Sequence, residues 1–189
     1  MHLFASPFFL CYIKNVIINK EFNKKIAVEY FFIQGVIDID SEYFINKIKN
    51  GVTNDDNMNF KTNVKSPMTS WHFFNKDLKF NIILSKLIEY VDSYYNFNPY
   101  VLSESWGIEM RQGQKTNYHD HQASYWSGVL YLNESEQLLK FPDINQEVKP
   151  GKGVFALFSP FLKHGCSTNY SDEPKYGISF NMREVKNWD

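Results

Sequence analysis

The stretch Tyr100–Asn133, YVLSESWGIEMRQGQKTNYHDHQASYWSGVLYLN, holds three short runs rich in aromatic and β-branched residues: Tyr100–Arg111, Tyr118–Gln122 and Tyr125–Asn133. Between the first two stands Gln112-Gly113-Gln114, a turn in which glycine supplies the positive φ that other residues resist. The same texture continues through Gln137–Phe141, Gly153–Phe158, Lys163–Ser167 and Tyr176–Arg183, with a second turn signal at Pro150-Gly151-Lys152-Gly153. Seven or eight short strands in about 85 residues, with no helical period between them, predict an antiparallel sandwich or small barrel.

The half of the chain before Pro99 reads differently. Phe80, Leu84, Leu87, Ile88, Val91 and Tyr95 recur at helical spacing between Asp77 and Tyr95, with Lys79, Lys86, Glu89 and Asp92 off that stripe, which predicts an amphipathic helix. Ser41–Asn50 predicts a shorter one, with Asp40 or Ser41 as cap and Gly51 as stop. Asn19–Gln34 reads as a ragged helix, Leu3–Ile13 (LFASPFFLCYI) as a buried strand and Gly51–Ser66 as a polar, Asn-rich surface loop. Helices followed by strands make the fold class α+β. Length alone, 189 residues, sets a prior of one domain, so 1–189 is read as a single domain with helical support in 1–99 and a β core in 100–184.

Composition excludes several classes. Apolar residues make up 43% and aromatic residues 17%, too much core material for a disordered chain. A net charge of −1 with only Arg111 and Arg183 as arginines gives no field for a nucleic-acid partner. Leu3–Ile13 has no basic residues to make a signal peptide and is shorter than the roughly 20 residues a membrane helix needs. Cys11 and Cys166 are too far apart in the chain to suggest a disulfide framework and read as buried free thiols. The expectation is a soluble cytoplasmic protein. Its Lys-, Asn-, Ile- and Phe-rich composition is that of an AT-rich genome.

Three of the five histidines, His119, His121 and His164, fall in the β half. Residues two apart on a strand project from one face, so His119 and His121, with His164 from a distant strand, make the three-point set that a metal needs. Imidazole suits iron, copper and zinc alike. The ordinary alternative is a polar strand face and a hydrogen-bonded loop histidine. His2 and His72 have no comparable partners and read as structural.

The segments Asn117-Tyr118-His119-Asp120-His121, Ser127-Gly128-Val129-Leu130-Tyr131-Leu132-Asn133, Pro160-Phe161-Leu162-Lys163-His164-Gly165 and Lys175-Tyr176-Gly177-Ile178-Ser179-Phe180-Asn181 together resemble the core of the 2-oxoglutarate/Fe(II)-dependent oxygenases. They are most similar to the prolyl-hydroxylase-like branch found in phages and bacteria. The resemblance covers roughly residues 100–184, with a weaker similarity at Leu3–Pro7. It implies a double-stranded β-helix, or jelly roll, in the C-terminal half with N-terminal supporting helices. It also implies Fe(II), 2-oxoglutarate as co-substrate, O2, and hydroxylation of an unidentified small-molecule or peptide substrate with release of succinate and CO2.

By the same resemblance the metal ligands are His119, His121 and His164. His121 stands where most of the superfamily has Asp or Glu. The neighbouring Asp120 points to the opposite face of a regular strand unless a bulge turns it. Lys175, 11 residues after His164, takes the place of the cation that meets the remote carboxylate of 2-oxoglutarate. Tyr131 and Ser179 add hydroxyls to it, and Gly177 replaces a frequent serine. Trp106, Trp126, Tyr125, Arg111 and Asn181 are expected near the mouth of the barrel. The rival reading is a cupin-like three-histidine jelly roll, metal-binding or metal-free, that does not use 2-oxoglutarate.

Overall fold

The computed structural model describes residues 29–52 and 62–185. Within them ten strands form two antiparallel sheets, and two α-helices pack on one of these. The major sheet has the order β1 (Phe32–Val36), β8 (Val154–Phe158), β5 (Trp126–Tyr131), β10 (Lys175–Glu184), β3 (Tyr100–Met110). The minor sheet runs β2 (Val64–Lys65), β4 (Lys115–His119), β9 (His164–Cys166), β6 (Leu139–Phe141), β7 (Gln146–Val148). Two five-stranded antiparallel sheets face to face are a jelly-roll arrangement. Among the described residues no helix is long and apolar enough to cross a membrane.

The major sheet is buried on both faces, which explains why all six residues of β5 are buried. Trp126 and Leu130 belong to a core shared with the helices, while Val129 and Tyr131, of opposite parity, face the minor sheet with Phe141, Phe158 and Leu162. Helix α1 (Ser41–Gly51) contributes Phe44 and Ile48 to the first core, and α2 (Leu78–Tyr94) contributes Phe80, Ile83, Leu84, Leu87 and Val91. Both helices begin as the sequence predicts. The Asp40 carboxylate accepts from the Tyr43 amide at 3.2 Å and Asp77 from the Phe80 amide at 2.9 Å, each satisfying a donor that the first turn leaves free.

Three expectations need correction. Residues 29–34 are not helical: Phe32–Val36 is the edge strand β1, registered antiparallel on β8 from Phe32↔Phe158 to Val36↔Val154. The end of the expected loop, Val64–Lys65, is β2 on the edge of the minor sheet, paired with β4. Sheet material is therefore not confined to residues 100–184. The run expected over Tyr118–Gln122 forms earlier, as Lys115–His119, because the amide of His121 donates instead to the Pro160 carbonyl at 2.7 Å and a tight turn follows. Strand β7 was not foreseen. The Leu3–Ile13 strand, residues 19–28 of the ragged helix, Cys11 and His2 lie outside the described residues.

The Pro150–Gly153 turn requires glycine for two reasons. Gly153 sits at φ +76°, and a Cβ there would lie 2.0 Å from the Ile37 carbonyl oxygen. Its amide and carbonyl bond to Tyr131 and Ile37. This turn therefore fastens β8 to the segment leaving β1.

Candidate metal and co-substrate site

Strand β4 and strand β9 pair so that His119 lies opposite His164. A register irregularity between Thr116 and His119 precedes this pair, and the chain leaves β4 directly after His119. His121 is thereby turned onto the same side as its neighbour two residues back. The three rings converge, with centroids 4.5 to 5.1 Å apart, and their nearest ligand atoms all lie within 4.8 Å of one another. Asp120 is not part of this group, and its carboxylate accepts from Gln122 Nε2 at 3.2 Å.

Two of the rings are fixed from behind. His119 Nδ1 lies 2.8 Å from the Asn117 carbonyl, and His164 Nδ1 lies 3.0 Å from the Leu162 carbonyl. A carbonyl only accepts, so each Nδ1 carries the proton and each Nε2 presents a lone pair. Burial pushes the imidazolium form of all three downward. His164 titrates at about 3 and His121 at about 4, helped by repulsion from His119, and His119 is lowered as well, chiefly by desolvation. At neutral pH the cluster is three neutral donors, the state a cation requires.

From this cluster a pocket extends between the sheets, walled by alternate residues of three strands. On β10 these are Lys175, Gly177, Ser179 and Asn181; on β3 they are Trp106, Ile108 and Met110; on β5 they include Val129 and Tyr131. Registers Lys175↔Met110, Gly177↔Tyr131 and Ser179↔Trp106 put these residues on one face, as period-two alternation demands.

Lys175 is only 5% exposed. Its Nζ is 3.4 Å from the Gln137 carbonyl, 3.7 Å from Cys166 Sγ and 5.6 Å from the Tyr131 ring centre. No carboxylate among the described residues pairs with it. Desolvation drives its pKa down and that of the Tyr131 phenol well up. A cation buried without an anion costs free energy unless a ligand supplies one. A Cβ added at Gly177 would meet the Leu130 carbonyl oxygen and Tyr131 Cδ1 at 3.4 Å, ordinary van der Waals contact, so a small side chain could stand there beside Tyr131.

The expected mouth residues divide. Trp106 and Asn181 line the pocket. Trp126 is wholly buried in the helix-side core, Tyr125 packs against that core, and Arg111 pairs outside the pocket with Glu109 at 2.9 Å. Large aromatics are core-formers first, and here parity sends Trp126 to the other face. Sequence reading missed Cys166 in the pocket wall and Glu104 and Trp71 at the mouth, where His72 also stands. Glu104 was recoverable from its spacing of two from Trp106. Trp71 lies on an irregular segment with no periodic signal.

No family model matches the chain, and no curated protein matches it. Solved structures do. The viral collagen prolyl hydroxylase of Paramecium Bursaria Chlorella virus-1, in complex with 2-oxoglutarate, superposes with a TM-score of 0.65 at 18% identity, covering 82% of this chain and 96% of that one. A Pseudomonas putida prolyl-4-hydroxylase gives 0.60 at 12% identity over 82% and 93%. HygX from Streptomyces hygroscopicus, with nickel, 2-oxoglutarate and hygromycin B bound, gives 0.63 at 12% identity over 82% and 83%. The fold of this chain is thus the one shared by these 2-oxoglutarate-binding proteins and prolyl hydroxylases.

Proposed function

We propose that this chain is a 2-oxoglutarate/Fe(II)-dependent oxygenase that hydroxylates a small-molecule or peptide substrate. The observation that carries this reading is the pairing of two features in one pocket. Three neutral imidazoles converge at one point of it, and a buried lysine without an anion stands further along. A bare three-histidine module has no use for such a lysine, so Lys175 favours the oxygenase over the cupin-like alternative. The solved structures of the same fold that hold 2-oxoglutarate lend support. We place the protein in the cytoplasm of a bacterial or phage-infected cell, where the buried free thiol of Cys166 stays reduced.

In this reading His119, His121 and His164 hold Fe(II), and Lys175, Tyr131 and Ser179 hold the remote carboxylate of 2-oxoglutarate. Bound there, the pair supplies O2-dependent hydroxylation of a C–H bond, with 2-oxoglutarate leaving as succinate and CO2. The protein's share is positioning and exclusion of water. The Asn117 and Leu162 carbonyls fix the tautomers of two ligands. Lys175 offers a point charge rather than a bidentate fork, and the Tyr131 phenol, kept protonated by burial, donates beside it. Phe141 and Phe158 pack on the His164 ring, at centroid distances of 5.5 and 4.6 Å, and keep water from that side.

The test is an anaerobic titration with Fe(II) and then 2-oxoglutarate, watching for the visible iron-to-keto-acid charge-transfer band. A saturable band is expected, lost in His164→Ala and weakened at least tenfold in Lys175→Ala, the effect of removing a charge-assisted contact worth about 1.5–3 kcal/mol. Iron binding with no band would favour the three-histidine alternative. No metal binding would refute the site.

A further inference from the structure

The inner faces of β3 and β10 are electrically polarised along their length. Lys175 stands at one end of β10 and Asn181, six residues on, near the other, roughly 20 Å away at about 3.3 Å per residue. Opposite Asn181 in the register is Glu104. A relay holds its carboxylate in place: Ser127 Oγ donates to Asn181 Oδ1 at 2.7 Å, and Asn181 Nδ2 donates to Glu104 Oε1 at 2.9 Å. Ser127 and Asn181 are buried, so two satisfied core groups aim one acid at the opening.

That opening is the outer mouth of the histidine site. Glu104, Asp120, Trp71, Trp106, His119 and His121 line it, and among the described residues it has no lysine or arginine in its wall. Neither Glu104 nor Asp120 forms an ion pair among the described residues. His72, also on the rim, has its Nδ1 3.4 Å from Asn75 Nδ2. Trp71 and Trp106 meet edge to face at 4.7 Å, with Trp71 38% exposed. The Trp106 indole N–H is buried without an acceptor, although buried donors are normally satisfied.

We propose that the substrate brought to the metal centre carries a protonated amine or guanidinium, received by Glu104 and Asp120 against the face of Trp71. A hydroxyl or carbonyl oxygen next to that cation accepts from the Trp106 N–H. An anion therefore goes to the Lys175 end and a cation to the Glu104 end of one channel. The assignment rests on the oxygenase reading for what happens to this substrate, not for its binding. Charge and aromatic faces together select a cation. They do not distinguish an amino sugar from a basic side chain of a peptide.

The probes are glucosamine and Nα-acetyl-lysine amide, each titrated calorimetrically into the full chain beside its neutral counterpart, N-acetylglucosamine or the Nε-acetylated lysine derivative. The cationic member of at least one pair is expected to bind about tenfold or more tightly, the effect of a charge-assisted contact, and the pair that responds identifies the source. Glu104→Gln, which keeps an acceptor for Asn181, and the half-exposed Asp120→Asn should each reduce that preference. Equal binding of charged and neutral members, no binding of any probe, or a preference that survives the double substitution overturns the proposal. The iron–2-oxoglutarate band of the same preparation is read separately. A band without cation preference sinks this inference alone, and cation preference without a band sinks the oxygenase reading alone.

Discussion

At the residue scale, the histidine cluster depends on one atom that is missing. Gly165 sits between His164 and Cys166, and a Cβ there would lie 2.9 Å from the Thr116 carbonyl oxygen, 3.0 Å from the Tyr118 nitrogen and 3.1 Å from Tyr118 Cα. All three are backbone atoms of the strand that carries His119, so nothing can rotate aside. Gly165→Ala should push β4 and β9 apart and weaken Fe(II) or Zn(II) binding at least tenfold without touching a ligand, as loss of support around a metal site does. Metal titration checks this, and unchanged affinity would mean the pairing His119↔His164 does not set the site. Residue-level chemistry was the most legible part of the sequence. Parity placed Lys175 with Ser179, because alternation on a strand survives whatever the strand pairs with. His119 and His121 do share a side, but not by strand alternation: β4 ends at His119, and the chain leaving it turns His121 onto that side. Of the mouth residues not read as part of the site, Glu104 was recoverable from its parity with Trp106 on β3, whereas Trp71 lies on an irregular turn that carries no periodic signal.

At the element scale, the α2 stripe and a cap for α1 at Asp40 or Ser41 were plain, since a helix writes its buried face and its first turn locally; the Asp77 cap of α2 was not read from the sequence. Strands β1 and β2 were not. Five residues FIQGV and two residues VK carry no period long enough to count, and their pairing partners begin 118 residues later for β1 (154 against 36) and 50 later for β2 (115 against 65). The start of α2 also joins the two helices. Asp77 is buried, caps Phe80, accepts from Tyr43 Oη at 2.7 Å and pairs with Lys47 of α1. Burial pushes its carboxyl up, but the Lys47 ammonium, the Phe80 amide and the Tyr43 hydroxyl outweigh it and hold the pKa below 3.8. A carboxyl depressed on folding adds stability that is complete above its unfolded pKa and lost as pH falls through the folded value. The protein should therefore lose this contribution below about pH 4, and Asp77→Asn should show a shallower loss over the same window. At pH 7, Asp77→Ala should cost about 2 kcal/mol, a cap plus a broken charged contact. Denaturant midpoints measured from pH 3 to 7 decide it. Parallel curves for the two proteins would remove Asp77 from the helix–helix junction.

At the scale of the whole molecule, the site belongs to neither sheet alone. The histidines come from β4, β9 and the segment after β4, all on the minor-sheet side, whereas Lys175, Tyr131 and Ser179 come from the major sheet. A molecule that bridges the two must tighten the sandwich, so occupancy should read out as stability. Any ligand that binds only the folded chain adds about 2.7 kcal/mol at a hundredfold excess over its Kd. In a chain of this size that is roughly 5–10 °C in Tm. Zn(II) or anaerobic Fe(II) should raise Tm by that order in the unsubstituted protein and in Lys175→Ala, and not in His164→Ala. Adding 2-oxoglutarate should raise it further only where both metal and Lys175 are present, because under the proposed function the keto acid would be held at one end by each sheet. Stabilisation by 2-oxoglutarate without metal, or its persistence in Lys175→Ala, would show that the acid does not span the sheets. The two halves of the pocket would then have to be explained as separate sites.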